Sequence, residues 1–191
     1  DYNKVRIILE KFQKKYNWEP VKEGQYLIGL KLEGKSISLE PGNQIELAGE
    51  KLKDIHLVCS ESYSFQNQLK EICDELDIKI LSVGYDPITK LNNVPNNPKQ
   101  RYKIMSTEMP KNGELSLDMM YNTAGTQINL DYTSEDDFIK KFKLVSNLTP
   151  LTVALFANSA LKENKSNGYL SFRTKVWQET SRGGLPNIFL E

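Results

Sequence analysis

Residues 26–40 read YLIGLKLEGKSISLE, and the inner run GLKLEGKS (29–36) satisfies the phosphate-loop pattern G-x-x-x-x-G-K-[ST] letter for letter. Two folds compete for this stretch. A phosphate loop needs a strand that ends, a loop that turns its N–H groups toward phosphate, and a helix that begins at the Lys-Ser pair. Here Tyr26, Ile28, Leu30 and Leu32 alternate with Leu27, Gly29, Lys31 and Glu33, a period of two that runs straight through the supposed loop. Glu33-Gly34 reads as a turn. Ser36 to Glu40 then alternates again and meets Pro41-Gly42, which leaves no room for a helix. The stretch predicts a β-hairpin, so any nucleotide must be held by other means.

Working outward, Val5, Ile8, Leu9, Phe12 and Tyr16 share one face of a helix that ends at Asn17. A second strand pair or a bulge is predicted at 44–47, and apolar positions at helical spacing predict a long helix over 51–76. Residues 79–83 predict a short strand that stops at Gly84 and Asp86-Pro87. The Asn- and Pro-biased run LNNVPNNPKQ (91–100) predicts a loop. Strands are predicted over 114–121 and 126–132. Ser134, followed by Glu135, Asp136 and Asp137, caps a helix expected to bury Phe138, Phe142 and Val145, with Pro150 kinking or restarting it. No internal repeat is present, and the fold class is α+β.

The 191 residues suit one domain. Lys plus Arg number 25 and Asp plus Glu number 25, so no net charge is available to hold a nucleic acid or an anionic membrane by electrostatics alone. No apolar run reaches the ~20 residues of a membrane span, and DYNKVRIILEKFQKK lacks a secretory cleavage signature, so a soluble, cytoplasmic protein is expected. On one helix Cys59 and Cys73 stand roughly 21 Å apart, too far for a disulfide, which makes core thiols of them. His56, on the same helix, has no nucleophile or metal-ligand pattern near it and reads as a partly buried helix residue.

Two segments divide their residues by face. Ile128, Leu130 and Tyr132 alternate with Gln127, Asn129 and Asp131, and Ile37, Leu39, Ile45 and Leu47 alternate with Ser38, Glu40, Gln44 and Glu46. A sheet covered by helices on one side and bearing oxygen-rich side chains on the other is a platform for hard divalent cations such as Mg²⁺. Plain solvent exposure of an antiparallel sheet produces the same alternation. Arg101, Arg173 and Arg182 are candidate clamps for carboxylate or phosphate, with surface ion pairing as the ordinary alternative.

Six runs in order, SLEPGNQIELAG (38–49), PKQRYKIM (98–105), LDMM (117–120), TQINLDY (126–132), LFANSA (155–160) and NGYLSFRTKVWQ (167–178), resemble glutamate-cysteine ligases of the plant and proteobacterial type. The resemblance implies a glutamine-synthetase-like antiparallel sheet with helices packed on one face and the active site on the polar face. It implies ligation of the γ-carboxylate of glutamate to the amine of cysteine through γ-glutamyl phosphate, with ATP as co-substrate and Mg²⁺ as cofactor. This is the first step of glutathione synthesis.

By the same resemblance Glu40, Glu46 and Gln127 are metal ligands, and Asn129 and Arg182 lie at the nucleotide. Arg101 and Arg173 hold glutamate and its transferring phosphoryl group as substrate-binding and catalytic residues, and Trp177 lines that pocket. Asn122 departs from the arginine usual in the family, and Asn43 replaces the second glycine of a turn. Metal-ligand strands of the family have no match here, so residues 1–191 resemble the central part of one catalytic domain. A ligase with another amine acceptor, or a non-catalytic fragment of such an enzyme, are the alternatives.

Overall fold

The computed structural model describes residues 1–180 and divides the chain into two compact units, Asp1–Ser82 with Pro95–Ser106, and Val83–Val94 with Thr107–Glu191.

The first unit opens with α1 (Tyr2–Tyr16), whose N-cap Asp1 accepts a hydrogen bond from the Lys4 amide and whose C-cap Asn17 takes the left-handed conformation at φ 59°. Four antiparallel strands follow in spatial order: β1 (Glu19–Glu23), β2 (Tyr26–Leu32), β3 (Lys35–Glu40) and β4 (Gln44–Ala48). β1 escaped the sequence reading; it is an edge strand, the position that tolerates Pro20. Between β2 and β3 the register pairs Gly29 with Ser38 and Leu32 with Lys35, so the phosphate-loop match is a hairpin turning at Glu33-Gly34. The turn into β4 passes through Gly42 and Asn43, at φ 68° and 62°. Asn43 accepts this conformation where most side chains would not, and its amide donates to the Pro95 carbonyl at 3.1 Å.

Helix α2 (Ile55–Glu75) starts at Asp54, whose carboxylate accepts from the amides of His56 and Leu57. It and α1 close over one face of the sheet. Ile8, Leu9, Phe12, Trp18, Leu27, Leu30, Ile37, Ile72 and Cys73 form the core, and each such side chain contributes about 1.5–3 kcal/mol when fully buried. Only the C-terminal half of α2 is covered. Cys59 and His56, on the uncovered half, are exposed, which corrects the expectation of a second core thiol and a partly buried histidine. Helix α3 (Gln100–Glu108) completes this unit.

The second unit contains α4 (Ser116–Asn122), α5 (Glu135–Leu155), the short pair β5 (Leu161–Lys162) and β6 (Lys165–Ser166), and α6 (Phe172–Gln178). Its buried hydrophobic cluster is Tyr85, Phe172 and Val176, with Leu115 and Met119 packed against it. Three predicted strands are absent. Most of 114–121 lies in α4 (Ser116–Asn122) instead, and 79–83 and 126–132 carry no strand, with Ile128 78% exposed. Alternation makes a strand only where a neighbouring ladder takes up its N–H and C=O groups, and among the described residues none pairs with 126–132. Ser134 caps α5 as expected, yet the helix passes unbroken through Pro150 and buries no residue; Phe138 and Val145 are exposed. A helix stripe is buried only where a second layer meets it.

Candidate functional site

In the first unit the β3–β4 register sets Ser38 opposite Glu46 and Glu40 opposite Gln44. These four side chains therefore share the sheet face that α1 and α2 leave open, with Glu40 and Glu46 diagonal neighbours. Burial, and next the negative charge of Glu40, push the Glu46 carboxyl above its ordinary range, while Lys99 acts in the opposite direction. Glu40 is held from several sides. The Ser38 hydroxyl donates to its Oε1 at 2.9 Å, the Tyr102 hydroxyl donates to its Oε2, and the Lys99 ammonium stands 3.8 Å from Oε1. Burial, followed by the bond to Glu40, raises the Tyr102 phenol, so Tyr102 stays a donor. Arg101 is exposed, its guanidinium 5.1 Å from the centre of the Tyr102 ring.

Among the described residues no group of three His, Cys, Asp or Glu side chains could hold a metal ion. What the face offers is two carboxylates on neighbouring strands, one of them held above its ordinary range by burial and then by the charge of the other. That donor set fits a hard divalent cation that keeps several waters or takes phosphate oxygens as its remaining ligands.

In the second unit Ser159 organises the start of α6. Its Oγ accepts from the Arg173 amide at 3.0 Å, and its amide donates to the Leu170 carbonyl at 3.0 Å. The Arg173 guanidinium then lies near the Trp177 ring, 5.7 Å from its centroid, and close to the backbone at Gly125, where a Cβ would stand 2.6 Å from Nη2. Burial lowers the Arg173 pKa, and its Nε is buried without a hydrogen-bond partner. A cation so placed has donors in excess of acceptors, which is what an anionic ligand supplies. In the same unit, buried Asp118 accepts from the Tyr85 hydroxyl and the Lys162 ammonium, each at 2.6 Å, and Tyr85 meets Phe172 edge to face at 5.1 Å.

Of the residues singled out by sequence, Glu40, Glu46 and Arg101 belong to the first unit, and Gln127, Asn129, Arg173 and Trp177 to the second. Gln127 donates to Asn129 at 2.9 Å, and both are exposed. Asn122 is buried and donates to the Thr89 carbonyl at 3.2 Å. Arg182 lies outside the described residues. Sequence reasoning missed Lys99 and Tyr102, although both stand in the run PKQRYKIM that carried part of the resemblance, and it missed Asp118 in LDMM.

The family model for glutamate-cysteine ligase family 2 matches residues 4–191. The chain belongs to this family. Among its relatives it is 44% identical to glutamate-cysteine ligase A, chloroplastic, of Oryza sativa subsp. japonica, over 98% of this chain and 39% of the relative. It is 44% identical to the chloroplastic glutamate-cysteine ligase of Nicotiana tabacum and 43% identical to that of Arabidopsis thaliana, over 98% of this chain and 37% of each relative. The chain thus spans less than two-fifths of the length of these ligases. Their names place them in the chloroplast, which overturns the cytoplasmic expectation. Among the described residues no helix is long and apolar enough to cross a membrane.

Proposed function

We propose that this chain is part of the catalytic domain of an ATP-dependent glutamate-cysteine ligase built on a glutamine-synthetase-like sheet, acting on glutamate, cysteine and ATP in the compartment its relatives are named for. The observation that carries this reading is the Glu40–Glu46 pair on one open sheet face, in a chain aligned with ligases over 98% of its length.

Glu40 and Glu46 would hold Mg²⁺, which when bound supplies positive charge to the phosphate oxygens of ATP. Asn129 and Arg182 are the nucleotide contacts in this reading. Arg173 orients the γ-carboxylate of glutamate and neutralises charge on the phosphoryl group as it leaves ADP. Trp177 holds the plane of the Arg173 guanidinium. One carboxylate oxygen attacks the γ-phosphorus, ADP departs, and the cysteine amine then displaces phosphate from the acyl phosphate, losing a proton as the amide forms.

The test is phosphate release in the presence of ATP, Mg²⁺, glutamate and cysteine. Release that depends on cysteine supports the proposal, and release that depends only on a different amine reassigns the acceptor. A protein that binds Mg²⁺ and ATP neither singly nor together sinks it.

A further inference from the structure

The Glu40 carboxylate is the most heavily engaged group on the open face of the sheet, and its partners come from far along the chain. Tyr102 is 62 residues away, and only 3% of its surface is exposed. Lys99, at the foot of α3, has a side chain 11% exposed and is anchored by donating to the Leu39 carbonyl at 2.8 Å, with its ammonium 5.0 Å from the Tyr102 ring centre. The segment bearing both is tied to the β3–β4 corner. Asn97 donates to the Glu40 carbonyl at 2.8 Å and Asn43 donates to the Pro95 carbonyl, which with the Lys99–Leu39 bond makes three ties, and within the segment the Lys99 amide donates to Asn97 Oδ1 at 3.0 Å. A loop that brings a phenol and an ammonium to one carboxylate, and is fastened at three points to do so, does more than cover a sheet.

We propose that Tyr102 and Lys99 are positioning residues for Glu40: the Tyr102 hydroxyl fixes the plane of the carboxylate, and the Lys99 ammonium is a built-in counter-ion that an incoming divalent cation must outcompete. The proposal rests on the reading of Glu40 as a metal ligand. A carboxylate has about four lone-pair sites. The Ser38 hydroxyl takes one site on Oε1 and the Tyr102 hydroxyl one on Oε2, so the plane of the carboxylate is fixed, while Lys99 stands 3.8 Å from Oε1 as a counter-ion. Ligating carboxylates are commonly oriented by such outer partners, whose loss costs roughly 10- to 100-fold in metal affinity. The counter-ion acts the other way: it neutralises Glu40 before metal arrives and keeps the pair Glu40 and Glu46 from repelling unopposed.

The experiment measures Mn²⁺ binding to the purified protein by electron paramagnetic resonance, with Mn²⁺ as the probe for the hard-cation site, alongside circular dichroism of each variant. Tyr102→Phe keeps the ring and removes the hydroxyl, and should weaken Mn²⁺ binding about tenfold. Lys99→Met keeps the apolar stem and removes the charge, and should tighten binding about tenfold, the size of effect one nearby charge exerts on a carboxylate. A purely structural pair would lower thermal stability in both variants and move Mn²⁺ affinity in the same direction in both. Glu40→Gln separates the two levels of the argument. If Glu40→Gln weakens Mn²⁺ binding while Tyr102→Phe leaves it within twofold, or Lys99→Met weakens it, the positioning proposal is overturned and the metal site stands. If Glu40→Gln leaves Mn²⁺ binding unchanged, the metal reading fails and takes the proposal with it. Should Tyr102→Phe fail to fold, the opposite sign expected of Lys99→Met still decides.

Discussion

A Cβ placed on Gly29 would stand 2.6 Å from the carbonyl oxygen of Ile37. Gly29 is the first glycine of the phosphate-loop pattern, and its need for no side chain comes from the neighbouring strand, where it pairs with Ser38. Gly29→Ala must therefore push β2 and β3 apart locally, at a cost of about 1–3 kcal/mol for an overpacked site. Lys35, the pattern's lysine, stands on β3 with no phosphate-facing helix behind it, so Lys35→Ala should leave nucleotide binding within twofold. Thermal unfolding checks the first variant and nucleotide titration the second. A phosphate loop would give the reverse, with Lys35→Ala abolishing nucleotide binding.

Glu75 joins α2 to α1, with Lys11 Nζ at 2.7 Å and Lys15 Nζ at 2.6 Å. The hydrogen bond from Lys11, and then that from Lys15, draw its carboxyl down to about 2. The folded pKa lies below the unfolded one, so the stabilisation is present above the ordinary glutamate range and is lost as pH falls toward about 2. Glu75→Gln should melt below the wild type at neutral pH in low salt. That gap should close on acidification, and high salt should shrink it because the pair is exposed. A gap that persists unchanged at pH 2 would assign the effect to packing.

Phe12 is fully buried, stacked on Phe65 at 5.9 Å and edge-on to Trp18 at 6.3 Å. Phe12→Ala should cost about 3–5 kcal/mol in chemical denaturation of the first unit. Leu144, on the uncovered face of α5, is 58% exposed, and Leu144→Ala should cost no more than about 0.5 kcal/mol. Comparable losses from the two would mean that α5 is covered in solution.

The contrast between these two sites also marks how far the sequence could be read. The hairpin was legible because both strands and their Glu33-Gly34 turn lie within fifteen consecutive residues, so one periodic pattern contains its own pairing partner. Thr126 to Tyr132 shows an equally clean alternation and forms no strand, since the pattern specifies faces and leaves the neighbour unspecified. Cys59 was misplaced for a related reason: helical spacing identifies the apolar stripe of α2 and cannot tell which half of the helix meets the sheet. In the site, the shared face of Glu40 and Glu46 follows from the alternation of two strands joined by one tight corner. The approach of Lys99 and Tyr102 to Glu40 is a long-range event, and no local periodicity encodes it. The orphaned Nε of Arg173 was equally invisible, because an arginine in sequence carries no mark of whether a carboxylate awaits it.

That orphaned donor supports the sharpest prediction for activity. Arg173 presents a planar fork beside the Trp177 ring and close against the Gly125 backbone, with a buried Nε that has no hydrogen-bond partner among the described residues. Arg173→Lys preserves the charge and discards the plane, the second donor direction and the stacking, so it cannot reproduce a two-point grip on a carboxylate. In the complete ligase kcat/KM for glutamate should fall about 100-fold, the scale of losing one preorganised donor to developing charge. The melting temperature should hold or rise, because the variant relieves an unsatisfied buried donor. A structural arginine would behave oppositely, with stability falling and kinetics spared. Arg173→Lys with glutamate kinetics within threefold of wild type would move the substrate carboxylate elsewhere and leave the buried Nε as a packing defect of α6.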